Sequence, residues 1–397
     1  MIKAGYCFCH RCAGLFEIAD AYYKCGEQPV GARLRRSAFS LGEKHWEIEP
    51  FRPDNGEIRL QDSPKLLRIS KERDGIPDSI DCTFGEDVQT EYRLYRSCPR
   101  CKTEHTVLNI DSGRYPTYVV AMVGATQVGK SAWLHAIATD INLNAVNAVR
   151  AYPYELDFVE KHATNQWDMG ATVASSAGAS NYLRIRERGN RKIVANVIFI
   201  DAAGELFKDL NTYQGTQREY LLGNGKFPGV DAVIYMDSAQ RASSKIQDSE
   251  DRERYMAAFQ VYSEMERTGA LEDKPVAFVY THTDLLVANK RDIPKVKDLS
   301  GTIEVPVCSK MTFENKTSYE PQKLWPRLVQ EDLIARTIND TVLQNTATNR
   351  KGFMIQTCSR KVDEDGKPRN DYRENFNVMD PVLWLLNTLN LFPIPLK

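Results

Sequence analysis

Gly124-Ala125-Thr126-Gln127-Val128-Gly129-Lys130-Ser131 sets two glycines, a lysine and a hydroxyl in the spacing G-x-x-x-x-G-K-S. Residues of these types in this order can hold a polyphosphate. Gly124 and Gly129 admit backbone angles closed to other residues, so successive N–H groups converge on an anion, and a helix starting at the loop's end adds its positive pole. Lys130 is expected to reach the outer phosphates, and Ser131 to offer its hydroxyl to Mg²⁺. Thr126, Gln127, Val128 and Ala132 complete the stretch that lines the ligand.

This chemistry demands a strand before the loop and a helix after it. Tyr118-Val119-Val120-Ala121-Met122-Val123 is an apolar run of buried-strand type, and Ser131 to Ala138 has the pattern of the following helix. Further downstream, Val197-Ile198-Phe199-Ile200 runs into Asp201-Ala202-Ala203-Gly204-Glu205, a strand that ends in an acid followed by D-x-x-G. Asp201 can reach Mg²⁺ through a water, and the N–H of Gly204 can meet the terminal phosphate, so the loop after it would sense that phosphate. Thr281-His282-Thr283-Asp284 follows the apolar strand Val276 to Tyr280. A carboxylate at Asp284 accepts from both the ring N–H and the exocyclic amine of guanine, a donor pair adenine lacks. After the last strand, Thr357, Cys358 and Ser359 offer backbone groups to the guanine oxygen.

Two sequence units are expected to carry these residues. The 397 residues, 42% hydrophobic, suffice for more than one core. Residues 1–112 are rich in turn types and short alternating stretches, with a helical pattern only from Gly14 to Tyr23, and read as a small, mostly β module. The turn-rich joint Asp111 to Pro116 opens residues 113–397. There the strands Tyr182 to Ile185, Ile193 to Ile200, Ala232 to Met236, Val276 to Tyr280 and Phe353 to Thr357 alternate with helical patterns such as Arg252 to Arg267. Such alternation predicts an α/β fold with a mostly parallel sheet and helices on both faces. Long insertions are expected at about 141–180 and 285–350. Met379 to Leu389 reads as a closing helix with Asp380 as cap and Pro381 at its first position.

Four of the nine cysteines form the pairs Cys9-His10-Arg11-Cys12 and Cys98-Pro99-Arg100-Cys101. Two such knuckles supply four thiolates to a tetrahedral Zn²⁺, a closed structural site, with Cys7, Cys25, His10 and His105 as rival ligands and a redox pair or unliganded thiols as the alternatives. The gap between the pairs implies a zinc-ribbon-like module expanded by an inserted β segment. A formal net charge of -1 argues against a protein that coats nucleic acid through bulk electrostatics, and the basic run Arg33 to Arg36 reads as a solvated face. No apolar run approaches bilayer length and the N-terminus lacks a signal-peptide core, so the expected location is cytoplasmic.

In this order, G-x-x-x-x-G-K-S, D-x-x-G, T-H-T-D and the Ser359 loop resemble the Ras-like P-loop GTPases of the translation-factor-related class. The resemblance covers about residue 117 to the end. Within that class, D-A-A-G-E, T-H-T-D and the terminal D-P-V-L-W-L-L look like the bacterial double-GTPase families, which act in conflict or defence modules and often carry a zinc ribbon. The resemblance implies a Mg²⁺-dependent GTPase switch that converts GTP to GDP and signals to a protein partner encoded nearby. It makes Lys130 the phosphate clamp, Asp201 an outer-sphere Mg²⁺ partner, Asp284 the guanine reader and Thr172 the Mg²⁺-binding switch threonine, with Thr164 and Ser175 as rivals. Departures from the pattern widen the choice. Thr281 and His282 stand where the family has asparagine and lysine, which weakens the preference for guanine and leaves ATP as an alternative. Glu205 stands where a glutamine orients water; its carboxylate repels the γ-phosphate, so a nucleotide-binding scaffold with negligible hydrolysis is the other alternative.

Overall fold

The computed structural model describes residues 1–9, 12–20, 22–25, 31–36, 46–50, 66–73, 76–84, 88–100, 108, 111–125, 127–142, 153–159, 179–201, 221–223, 226–239, 249–283, 325–343, 349–355, 357 and 377–392. The chain forms two compact units, Met1–Thr117 with Gly223–Pro228, and Tyr118–Leu222 with Gly229–Lys397.

The first unit begins with a hairpin of β1 (Tyr6–Cys9) and β2 (Gly14–Glu17), paired antiparallel with Cys9 opposite Gly14. Phe8 of β1 packs on Phe227 with ring centroids 4.6 Å apart. Gly14 to Tyr23, helical by pattern, is instead strand β2, a single 3-10 turn at Ile18–Asp20, and the start of β3 (Tyr22–Cys25). Cross-strand pairing with β1 overrides the local periodicity there. A six-stranded sheet follows, made of β3, β4 (Gly31–Arg36), β5 (Trp46–Pro50), β6 (Leu66–Arg73), β7 (Ile76–Phe84) and β8 (Val88–Ser97). Its order is β5-β4-β3-β8-β7-β6 and every neighbouring pair is antiparallel. Turn-forming Asp74-Gly75 separates β6 from β7 in the sequence, and Val88, Tyr92 and Leu94 alternate with polar residues along β8, the period of a sheet with one apolar face.

The second unit is built on a seven-stranded sheet of order β10-β11-β12-β9-β13-β14-β15. Its strands are β9 (Thr117–Val123), β10 (Tyr154–Val159), β11 (Ala179–Glu187), β12 (Ile193–Asp201), β13 (Ala232–Ser238), β14 (Val276–Thr281) and β15 (Arg350–Met354). The sheet is mixed rather than mostly parallel. β9, β13, β14 and β15 pair in parallel, whereas β10, β11 and β12 pair antiparallel. The short turn Arg188–Lys192 closes β11 onto β12, a hairpin that only antiparallel strands allow. Part of the 141–180 stretch, read as an insertion, supplies edge strand β10.

Helices cover both faces of this sheet. Tyr262, on α2 (Ser249–Arg267), meets Tyr235 and Phe278, and Trp325, on α3 (Trp325–Glu331), meets Tyr280. Phe278 and Tyr280 share one face because they are two residues apart on β14. Phe353 of β15 pairs with Val279, on the opposite face, and packs against Trp384 of the closing helix α5 (Asp380–Thr388). Trp133 of α1 (Lys130–Asn142) packs on Phe199 and donates from Nε1 to Val378 O at 2.9 Å. The 285–350 stretch holds α3, α4 (Leu333–Ile338) and a π turn at Asn339–Leu343. Arg350 pins β15 to α2: its side chain, 5% exposed, binds both carboxylate oxygens of Glu266 and the carbonyls of Leu271 and Lys274. Among the described residues no helix is long and apolar enough to cross a membrane.

Asp380 departs from its expected role. It is the first residue of α5, preceded by Met379, which stands at the cap position without a side-chain capping bond. The carboxyl is buried, 1% exposed, with neither oxygen hydrogen-bonded among the described residues, and Pro381 next to it has no N–H to give.

Candidate functional site

β9 lies where the sheet order turns. The chain leaves it to build β10, β11 and β12 on one side, then returns to build β13, β14 and β15 on the other. In open α/β sheets such a switch point leaves a crevice beyond the carboxyl ends of the strands. The glycine loop occupies this position, between Val123 at the end of β9 and Lys130 at the start of α1.

Close packing accounts for the loop's residue types. A Cβ on Gly124 would fall 2.5 Å from Met236 O on β13, so only glycine lets the loop leave β9 there. Gln127 and Gly129 follow with φ of +63° and +89°. Gly129 O accepts from Trp133 N at 2.9 Å and so starts the α1 ladder. The ammonium of Lys130, in a residue only 7% exposed, folds back on the loop and donates to Gly124 O at 2.8 Å and Ala125 O at 2.9 Å. Val128 is buried, and Ser131 and Ala132 are half-buried in the first turn of α1.

The end of β14 is tied to this loop. Thr281 Oγ1 donates to Val128 O at 2.7 Å and also lies 3.3 Å from Asp237 O. His282, with φ of +53°, holds Nδ1 2.9 Å from both Ser238 Oγ and Thr281 Oγ1. Burial pushes its imidazole below the ordinary histidine range. Thr283 Oγ1 donates to Ile355 O at 3.1 Å, just past the end of β15. Three hydroxyls and one imidazole therefore gather the ends of β13, β14 and β15 beside the glycine loop. Ser238 belongs to none of the sequence motifs; the signal for it is the polar residue that closes the apolar strand Ala232 to Met236.

Asp201 is the last residue of β12, opposite Ala179 of β11, on the strand next to β9. Of the other expected residues, Thr126, Thr172, Gly204, Glu205, Asp284, Cys358 and Ser359 lie outside the described residues, as do Thr164 and Ser175.

A second constellation sits in the first unit. The sulfurs of Cys9, Cys12 and Cys98 lie within 4.8 Å of one another, and Cys12 Sγ is 3.6 Å from Cys98 Sγ. That distance is far beyond a disulfide bond and close to the ~3.8 Å edge of a tetrahedron with Zn–S bonds of about 2.3 Å. Backbone geometry supports the cluster. Ala13 turns the chain with φ of +47°, a Cβ on Gly14 would fall 2.9 Å from Cys12 Sγ, and Arg100 N donates to Cys98 Sγ at 3.4 Å. Three thiols gathered in this way fit a soft, tetrahedral cation. Cys101, the expected fourth ligand, and the rivals Cys25, His10 and His105 have side chains outside the described residues. Cys7 is buried separately, with Sγ 3.6 Å from Ser112 O.

No protein-family model matches the sequence, and no curated protein matches it.

Proposed function

We propose that the chain binds a nucleoside triphosphate, GTP, together with Mg²⁺, and works as a hydrolytic switch whose state a protein partner reads. The observation that carries this reading is the joining of the glycine loop to the end of β14 by Thr281 and Val128, with the Lys130 ammonium already seated on the loop's own carbonyls. A lysine held in this way brings positive charge to the mouth of the loop, where backbone amides and the α1 dipole favour an anion. The position of the loop at the sheet's switch point supports the same reading.

In this scheme Ser131 and Asp201 hold Mg²⁺, which offsets phosphate charge when bound. Gly204 follows Asp201 by three residues and brings a backbone N–H to the terminal phosphate; Thr172 is the matching contact from the preceding loop. Asp284 reads guanine while Thr281 and Thr283 fix the segment that leads into it. Glu205 makes turnover slow, because a carboxylate near the attacked phosphate opposes developing negative charge. The same residue favours a second reading, a nucleotide-gated scaffold that barely hydrolyses. In the first unit, Cys9, Cys12 and Cys98, completed by Cys101, hold a structural Zn²⁺.

Titration calorimetry of the full chain with GTP, GDP and ATP, each with Mg²⁺, tests the scheme. GTP uptake that is lost in Lys130→Ala supports it, and no uptake of any of the three overturns it. Preference for ATP, or no loss of GTP preference in Asp284→Asn, removes the guanine assignment. Single-turnover assays with labelled GTP separate switch from scaffold.

A further inference from the structure

The three sulfurs of the cysteine cluster are not equivalent. Cys9 and Cys98 are fully buried, whereas Cys12 is half-buried. Cys9 is the last residue of β1 and is held in its ladder opposite Gly14, but Cys12 and Cys98 both lie outside the strands, in segments 86 residues apart. Across that separation Cys12 Sγ stands 3.6 Å from Cys98 Sγ. Closing to the ~2.05 Å of a disulfide asks for a movement of about 1.6 Å from two residues that no ladder holds.

The surroundings give the two sulfurs different parts. Gly14 lets Cys12 and the exposed Arg100 meet at one spot, since the point a Cβ would take lies 2.9 Å from Cys12 Sγ and 3.8 Å from Arg100 Nη1. A small oxidant that reaches Cys12 therefore meets a guanidinium able to bind the anion it expels. Cys98 Sγ instead accepts from Arg100 N at 3.4 Å and is closed to solvent. An accessible thiolate beside a second, sheltered sulfur is the arrangement from which a peroxide makes a disulfide.

We infer that Cys12 is a site of oxidation by hydroperoxides and that Cys98 is the thiol that resolves it, so that the metal centre doubles as a redox switch. The inference rests on the zinc reading above for the loss of metal, and on the sulfur positions alone for the new bond. Bound Zn²⁺ keeps the sulfurs ionised, the form that reacts. The Cys12 sulfur attacks one peroxide oxygen; an S–O bond forms, the O–O bond breaks, and the other oxygen leaves as hydroxide. The Cys98 sulfur then attacks the Cys12 sulfur, the S–S bond forms, the S–O bond breaks, and a second hydroxide leaves. Two electrons pass from the sulfurs to the peroxide, and each hydroxide takes a proton from the medium to become water. With two thiolates spent, the site no longer holds the ion.

Hydrogen peroxide added to the purified full chain tests this, with a chromogenic chelator reading zinc and with peptide mass mapping after unfolding, alkylation and digestion without reductant. Expected are loss of the bound zinc, a crosslinked peptide that joins Cys12 to Cys98, and recovery of zinc binding after a dithiol reductant and added Zn²⁺. A crosslink from Cys12 to Cys9 or Cys101, oxidation of Cys12 with no crosslink to Cys98, or retention of zinc with no crosslink overturns the inference while the zinc reading survives. If the purified chain holds no zinc, the zinc reading falls and the metal-free chain decides the inference: the Cys12 to Cys98 crosslink supports it, and its absence overturns it. Cys7→Ser, whose parent sulfur faces Ser112 O, is expected to form the same crosslink. Loss of the crosslink in that variant would make Cys7 the resolving thiol and overturn the assignment to Cys98.

Discussion

Thr281 donates its hydroxyl to the carbonyl of Val128 at 2.7 Å, so two segments 153 residues apart in sequence share one hydrogen bond at the candidate site. The hydroxyl is fully buried, and so is the residue whose carbonyl it meets. Thr281→Val keeps the shape and deletes the donor. Leaving Val128 O unsatisfied costs about 1–3 kcal/mol. Urea unfolding is expected to show that loss, and nucleotide affinity to fall with it because the loop is no longer held. Thr281→Ser restores most of both. A valine variant as stable as the parent would mean that the bond does not position the loop.

His282 gives the site a pH dependence of definite sign. Burial lowers its pKa below the ordinary value of 6.5, so the folded state favours the neutral ring. The unfolded chain then binds the proton more readily, and stability falls as pH drops through about 6.5 toward the folded-state value, levelling off below it. Above that window this residue adds no pH dependence. His282→Asn keeps a residue tolerant of the left-handed region and removes the titration. Melting temperatures at pH 7.5 and 5.5 are expected to differ less in the variant than in the parent; an equal or larger difference sinks the assignment.

The sequence revealed most of the seven-stranded sheet because its central strands are buried on both faces and are therefore written as unbroken apolar runs, such as Val119 to Val123 and Val276 to Tyr280. The glycine loop was equally legible, since Gly124 is dictated by contact with Met236 O and Lys130 by its place at the helix start. What escaped were features fixed by distant partners. β10 has alternating Glu155 and Asp157, paired across the edge with Arg184, Arg186 and Arg188, and no apolar run announces it. The antiparallel half of the sheet depends on how β11 turns into β12, which apolar periodicity does not encode. Ser238 joins the site through its contact with His282, 44 residues along the chain. Asp380 looked like a cap because its neighbours fit one, yet packing buried its carboxyl instead.

The cysteine cluster makes a quantitative prediction. Purified chain is expected to carry one zinc ion, released by chelator, and cobalt substitution should give the thiolate charge-transfer and visible bands of a tetrahedral sulfur site. Cys98→Ser and Cys12→Ser are expected to lose the metal. Cys7→Ser is the control, because its sulfur faces Ser112 O and lies outside the three-sulfur group. Equal metal content in Cys98→Ser and the parent would rule the cluster out as the ligand set.

Asp380 is expected to limit stability at neutral pH. Burial raises its pKa well above 3.8, opposed only in part by the positive charge of Lys351. A carboxyl whose folded-state pKa is raised favours folding below the unfolded value, and that advantage is lost as pH climbs from about 3.8 to the folded value. Ionising it inside the fold would leave a buried charge without a hydrogen bond at the start of α5. Asp380→Asn keeps the size and stays neutral at every pH. Its melting temperature is expected to equal or exceed that of the parent at pH 8, with the gap shrinking toward pH 4, where the parent carboxyl holds its proton. A variant less stable than the parent at pH 8 would show that the negative charge serves the fold, through Lys351 or the α5 dipole, and that the aspartate caps α5 after all.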